Sequence, residues 1–332
     1  MQQASFQVKT LHLAYNKLFI TKMNSPLVTI VVITFNSSQT IIDTLNSIKE
    51  QSYSNIELII SDDASTDDTI SLCKEWIKNN SSRFIQYYIN VNSTNLGVTK
   101  NCNAGCTLAH GHWIKLIAGD DALLSNAITE FMEFSQKFPK AEIIHSRILI
   151  YKNNFNDSSL LDTNITYPIY FTDNKPQNAI LQHQYLCLQN TIAAGSVIIK
   201  KALYEQVKGF DERISNCEDW PMWLKITNQG HSFYFMDSPT FKYRLTTTSI
   251  YGKETINYLF KRFYNTENKI YKLHIKPYSP PIYKFMNRYN FYLRLCLDQI
   301  GLNKNRIYAK IIYSILNIPY IFFYKQIFKT TF

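Results

Sequence analysis

Three pairs of adjacent acids, Asp62-Asp63, Asp120-Asp121 and Glu218-Asp219, are the residues best suited to chemistry in this chain. The first two pairs close apolar runs, residues 56–61 and 112–118. Gathering like charges raises their free energy unless they hold a cation or bond a ligand. Oxygen-only donors suit a hard cation, Mg²⁺ or Mn²⁺, and such ions commonly bridge one or two carboxylates to a diphosphate. Asp120 and Asp121 read as functional because two acids end a strongly apolar strand. Asp67 and Asp68 read instead as a helix cap and a solvated turn. For Glu218-Asp219 two readings stand side by side. Acids favour helix N-termini, and Trp220 with Trp223 at i,i+3 spacing suits a core; a general base is the alternative.

The elements that position these acids alternate in type. Residues 27–35 form a near-continuous β-branched run, as expected of a strand buried on both faces. Residues 38–51 have helical spacing, 56–61 read as a second strand, and a helix carries Leu72, Trp76 and Ile77. A strand at 84–90, a helix at 98–109, a strand at 112–118, a helix near 125–137 and a strand near 142–150 complete the series. This order predicts an α/β fold with a mainly parallel sheet flanked by helices, binding ligands beyond the carboxyl ends of its strands. No GxGxxG or GxxxxGK[ST] is present, which argues against dehydrogenase-type dinucleotide binding and a P-loop. The six cysteines form no CxxC pair and suit reduced thiols. His110, His112 and His145 have no partners at ligand spacing and read as surface or core residues.

Charge divides the chain near residue 250. Residues 251–332 hold 14 Lys/Arg against 3 Asp/Glu, with 12 of the 23 Tyr and 8 of the 21 Phe. The first 250 residues carry 21 basic and 22 acidic groups, close to balance. The tail therefore reads as a helical appendage, either packed on the domain or lying on an anionic membrane surface. Nucleic-acid binding is the weaker reading, because no recognition motif accompanies the charge. The apolar stretch 311–324 has 14 residues and contains Pro319, where a span needs about 20. No secretory signal is visible in the first 25 residues. The expected location is cytoplasmic, peripheral at the inner face of the cell membrane.

The ordered strings VTIVVITFN, LIISDDASTDDT, NLGVTKNCNAG and HWIKLIAGDD, within residues 26–245, resemble the family 2 glycosyltransferases of the bacterial surface-polysaccharide type. The resemblance implies a GT-A fold over residues 26–248, after an extension at 1–25 and before a helical region at 249–332. It implies a metal-dependent transferase, using Mn²⁺ or Mg²⁺, that moves a sugar from a nucleotide-diphosphate donor, UDP favoured, to a hydroxyl of a lipid-linked saccharide with inversion. Asp62 and Asp63 map to the acids that hold base and ribose, and Asn95, Gly97, Lys100 and Asn103 to the segment flanking the nucleotide. Thr34 and Asn36, after the first strand, join that set. Asp120 and Asp121 map to the metal motif, either one being the direct ligand. Asp219 maps to the general base, with Glu218 beside it as an acceptor-binding or supporting acid. Arg244 is placed near the donor phosphates. Ala118 and Cys102 depart from the pattern, where many members carry an acid and an Arg, so Lys100 is left to supply the positive charge. Lys208 replaces one Gly of the turn at 208–212, which reads as structural. The runner-up enzyme class, a sugar-1-phosphate nucleotidyltransferase, needs a Gly-rich basic loop after the first strand that TFNSSQT lacks.

Overall fold

The computed structural model describes residues 25–162, 171–172, 178–246, 264–303 and 306–328. The N-terminal extension and the boundary placed near 250 lie outside the described residues. β1 (Val28–Thr34) is a run of β-branched residues with its side chains buried on both faces. Ile30 and Val32 join Ile41, Leu45 and Ile48 of α1 (Ile41–Lys49) in one layer, while Val31 faces the opposite layer with Cys102 and Cys106. Alternation along the strand thus fixes one helix on each side.

β2 (Ile56–Asp62), β3 (Gln86–Val91) and β4 (Trp113–Ala118) make the parallel half of the sheet, in the order β3-β2-β1-β4. Thr34 pairs with Asp62, and Ile33 with Ala118, so three strands end at one level. β3 begins two residues later than the 84–90 expectation. It is an edge strand with Tyr87 and Tyr88 exposed, and Phe84 is buried ahead of it. Beyond β4 the sheet becomes mixed. β8 (Val197–Lys200) runs antiparallel to β4 and to β6 (Ile143–Lys152), and β9 (Tyr234–Leu245) runs parallel to β6. The two-residue β5 (Ala122–Leu123) pairs with β9, and β7 (Leu160–Asp162) pairs with β6.

α2 (Thr69–Asn80) and α3 (Val98–Thr107) cover the parallel half. Asp67 caps the start of α2, accepting from the Thr69 N–H at 3.0 Å and the Ser38 N–H at 3.1 Å. Its slight burial disfavours the charge, but these donors and the Thr69 hydroxyl hold its pKa down at about 2. α4 (Ala127–Lys137), α5 (Ala179–Leu186), α6 (Lys201–Gln206) and α7 (Asp219–Asn228) follow. His145 lies in the core among Phe171, Phe233 and Phe235, whereas His112 is exposed and His110 bonds Glu57 at the surface.

The basic region folds onto the catalytic body through α8 (Tyr264–Ile270), a π-helical turn, α9 (Pro281–Gln299), α10 (Ile307–Leu316) and α11 (Ile318–Phe328). Tyr264, Tyr283, Phe291, Tyr320 and Tyr324 are buried, while Phe285, Tyr292 and Phe322 stay exposed. The packing reading therefore holds for one set of rings, while the other set faces out.

Gly105 lets α3 lie directly on β1 and β2. A Cβ there would stand 2.6 Å from Val31 Cγ1 and 3.0 Å from Ser61 Cβ. Gly105→Ala gains roughly 1 kcal/mol of helix propensity, but forcing a methyl into that contact costs about 1–3 kcal/mol. The net expectation is a lower denaturant midpoint. An unchanged or higher midpoint in urea unfolding would show that the layers are not packed this closely.

Candidate functional site

The floor of the site is built where β1, β2 and β4 end. Asp62 is fully buried, and its carboxylate accepts from the Thr34 hydroxyl at 2.7 Å, the Ser65 hydroxyl at 2.6 Å and the Ser65 N–H at 2.8 Å. Asp63, also buried, accepts from the Leu96 and Gly97 N–H groups at 2.8 Å each and from the Asn92 amide at 3.0 Å. Neutral donors thus satisfy two buried charges and order two loops at once. Asn36, with φ +51°, ties the first loop to the second by accepting from the Thr66 N–H at 2.9 Å. Gly97 has φ +85°, a backbone state that side chains strain, and Asn95 accepts from its N–H at 3.1 Å. Lys100 is exposed on the first turn of α3.

One residue of the expected set is placed elsewhere. Asn103 gives both amide hydrogens to Phe210 O and Glu212 Oε1 and accepts from Tyr204 and from the Phe210 N–H. Its bonds serve the 208–212 turn, not a face open to ligand. That turn is structural as expected, with Lys208 and Gly209 both at positive φ. The residue that joins the strand ends is Asn101, which the sequence reading passed over. Buried under the site, it donates to Ser61 O at 2.9 Å and accepts from Ser61 Oγ at 2.7 Å and Asn92 Nδ2 at 3.1 Å.

At the end of β4 the two acids diverge. Asp121 is buried and accepts the Arg244 N–H at 2.8 Å, while Asp120 is half-buried. Burial, then the charge of Asp120, pushes the Asp121 pKa well above the carboxylate range, against the pull of Arg244 and Lys115. Burial also raises Asp120, with Arg244 opposing. Lys115, in the middle of β4, is fully buried between the Phe131 and Phe241 rings and donates to Gly195 O and Val197 O. Burial lowers its pKa to about 7, and Asp121 works against that. A lysine in the centre of an otherwise apolar strand was the available signal.

Arg244 does not face outward. Its guanidinium is buried on the Phe155 ring, 4.1 Å from the centroid, and donates to Asp120 O, Asn153 O and Asp43. The expected phosphate contact is replaced by a brace that fixes the Asp120-Asp121 turn. A groove of about 700 Å³ opens on the far side of that brace, lined by Asp43, Glu50, Tyr151, Phe155 and Lys242. None of the three acid pairs lines it.

The opposite wall is the 211–219 segment, tied to the nucleotide-side loops by Thr99, whose hydroxyl donates to Ile214 O at 2.5 Å. Glu218 and Asp219 open α7. Asp219 accepts from the Trp220 N–H at 2.6 Å and from the Asn190 amide at 3.0 Å. Burial raises both pKa values; the Asp219 charge lifts Glu218 further, to about 7, while the Trp220 and Asn190 donors work against the rise at Asp219. The two acids therefore titrate as one pair. Cys102 of α3 is fully buried in the same apolar layer as Ile214, Met222 and Trp223.

The residues fit a hard cation in one way. Among the described residues no group of three or more His, Cys, Asp or Glu side chains is arranged to hold an ion. Asp120 offers one accessible carboxylate, with Asp121 behind it. Mg²⁺ or Mn²⁺ accepts such a site when phosphate oxygens and water complete its shell.

The profile of Glycosyl transferase family 2 matches residues 29–206, which span β1 through α6 and include the first two acid pairs. The chain belongs to glycosyl transferase family 2. Among its relatives, EpsE of Bacillus subtilis, named as a candidate glycosyltransferase, is 25% identical over 227 residues, 67% of this chain and 74% of that protein. The GalNAc(5)-diNAcBac-PP-undecaprenol beta-1,3-glucosyltransferase of Campylobacter jejuni is 33% identical over 108 residues, 32% of this chain and 34% of its own. Residues 1–349 of TarS from S. aureus, solved with UDP-GlcNAc, superpose with a TM-score of 0.59 at 15% identity, covering 89% of this chain and 80% of that one. This likeness shows the GT-A fold.

Removing the Asp63 carboxylate leaves the Leu96 amide without its acceptor and the Gly97 amide with Asn95 Oδ1 alone. Asp63→Ala is expected to cost about 1–3 kcal/mol. Hydrogen exchange at residues 96 and 97 should accelerate far more than in the core of β1. Unchanged protection at those two amides would mean that Asp63 does not hold the loop.

Proposed function

We propose that this glycosyltransferase moves a sugar from a UDP-sugar to a hydroxyl of a lipid-linked saccharide, with inversion, during assembly of a bacterial surface polysaccharide. The observation that carries the reading is the pairing of two walls. Asp63 and the 95–100 loop stand on one side and Asp219 on the other, joined where Thr99 bonds Ile214 and Gly97 meets Ser215. The binding of UDP-GlcNAc by TarS and the undecaprenol-linked substrate in the name of the Campylobacter relative support the donor and acceptor classes.

Asp62 and Asp63 shape the pocket for base and ribose, with Thr34, Asn36, Asn95 and Gly97 holding its loops. Lys100 supplies positive charge toward the phosphates. Asp120, backed by Asp121, would hold Mn²⁺ or Mg²⁺, which would supply charge neutralisation for the departing diphosphate. Asp219 takes the proton of the acceptor hydroxyl as that oxygen bonds the anomeric carbon. The bond from that carbon to the diphosphate oxygen breaks on the opposite face, so configuration inverts. Glu218 beside it hydrogen-bonds the acceptor.

Asp120→Ala is expected to abolish the metal dependence of UDP binding. Calorimetry of wild type should show at least a tenfold gain in affinity when Mn²⁺ replaces EDTA, and the variant none. Equal wild-type affinity in both conditions removes the cation from this scheme.

Asp219→Asn keeps the Asn190 contact and loses the base. Donor affinity should stay within a few-fold while turnover falls by about 10²–10⁴. In wild type the rate should drop as pH falls through the raised pKa of Asp219, above the ordinary Asp value of about 3.9. Near-normal turnover of the Asn variant would move the role to another group.

A further inference from the structure

We propose that the outward face of α10 and α11 docks flat on an anionic lipid bilayer. Ile307, Ile311, Ile315, Ile318 and Phe322 are 78%, 52%, 58%, 57% and 63% exposed. Steps of four residues put Ile307, Ile311 and Ile315 on one face of α10, and a step of four puts Ile318 and Phe322 on one face of α11. Single exposed apolar residues are ordinary on a protein surface, but an aligned set of this size marks an interaction site. The inward face is already used: Ala309, Tyr320 and Tyr324 are buried, with Tyr320 Oη donating to Leu188 O at 3.4 Å and Tyr324 Oη accepting from Gln189 at 3.0 Å.

Charge selects the partner. After Asp298 the chain contains no acid, while Lys304, Arg306, Lys310, Lys325 and Lys329 are all basic. Arg306, Lys310 and Lys325 are exposed beside the apolar row. A second copy of the same face would bring like charges together, whereas acidic headgroups complement them and the acyl boundary takes the isoleucines and Phe322. Geometry selects the mode. No single helix among the described residues is long and apolar enough to cross a membrane; α10 and α11 reach that length and hydropathy only together, across a bend of 56°. At about 1.5 Å per residue each reaches roughly 15–17 Å, half of a hydrocarbon core of about 30 Å. With one face fixed to the body, the pair lies along the interface. The position also suits the proposed chemistry, on which this clause alone rests: Gln189, which holds Tyr324, precedes Asn190, which holds Asp219. A lipid-linked acceptor would then arrive beside the base.

Full-length protein should be floated with phosphatidylcholine vesicles and with vesicles containing 30% phosphatidylglycerol, at low and high salt. Wild type is expected in the vesicle fraction only with the anionic lipid, and high salt should release most of it. Ile311→Glu with Phe322→Glu should lower the bound fraction at least fivefold, and Lys310→Ser with Lys325→Ser at least twofold. Retained UDP affinity in both variants separates loss of docking from loss of the fold or of the nucleotide site. Wild type that ignores anionic vesicles, binds neutral ones equally, or binds unchanged after the acidic substitutions overturns the proposal. So does a stable dimer in light scattering that the acidic substitutions dissociate, which would assign the face to a second copy.

Discussion

Pairing of Thr34 with Asp62 and of Ile33 with Ala118 ends three parallel strands level with one another, so the acids that close them must share one small volume. Four carboxylates are collected at that edge, and a buried one needs hydrogen-bond donors. Three are satisfied from within the chain: Asp62 by hydroxyls and an amide, Asp63 by two loop amides and Asn92, and Asp121 by the Arg244 N–H. Asp120, half-buried, is the fourth. The bonds that settle Asp62 and Asp63 order the loops at 64–67 and 92–97, so satisfying these acids and shaping the pocket are one problem.

Much of this was legible in the sequence because it depends on local pattern. Strands buried on both faces read as β-branched runs, and acids placed directly after such runs must stand at the sheet's edge. The antiparallel half was not legible, because short strands such as β5 and β8 acquire their pairing from distant partners. Asn101 and Asn103 illustrate the limit. They lie two residues apart on α3, so about 200° of helical turn separates them, and only the packing shows that Asn101 meets the strand ends while Asn103 meets the 208–212 turn. Arg244 was placed at the right corner of the fold with the wrong partners, since a charge cannot reveal from sequence that Phe155, Asn153 and Asp43 will enclose it. Asn190 carried no signal at all, being one polar residue in a loop until the fold brings it to Asp219.

The two walls of the site belong to different stretches of chain, and their connection is specific. Thr99 bonds Ile214, Gly97 meets Ser215, and Cys102 fills the space beneath. A shift of α3 would therefore move the 95–100 loop and the 211–219 segment together. The C-terminal helices extend this chain of contacts, since Tyr324 and Tyr185 pack against each other beside Gln189. The basic region is thus part of the same body that holds Asp219, and its exposed apolar row is presented from a fixed platform.

The central claim is that Asp120 and Asp219 stand on opposite sides of the reacting sugar, one serving the leaving diphosphate and the other the incoming hydroxyl. A crystal of the full chain grown with Mn²⁺ and a non-hydrolysable UDP-sugar tests it directly through the anomalous signal of the metal. The account predicts a manganese peak bonded to an Asp120 oxygen and to both phosphates, with the Asp219 carboxylate facing the anomeric carbon from the other side. A peak elsewhere, or Asp219 on the diphosphate side of the sugar, would contradict it.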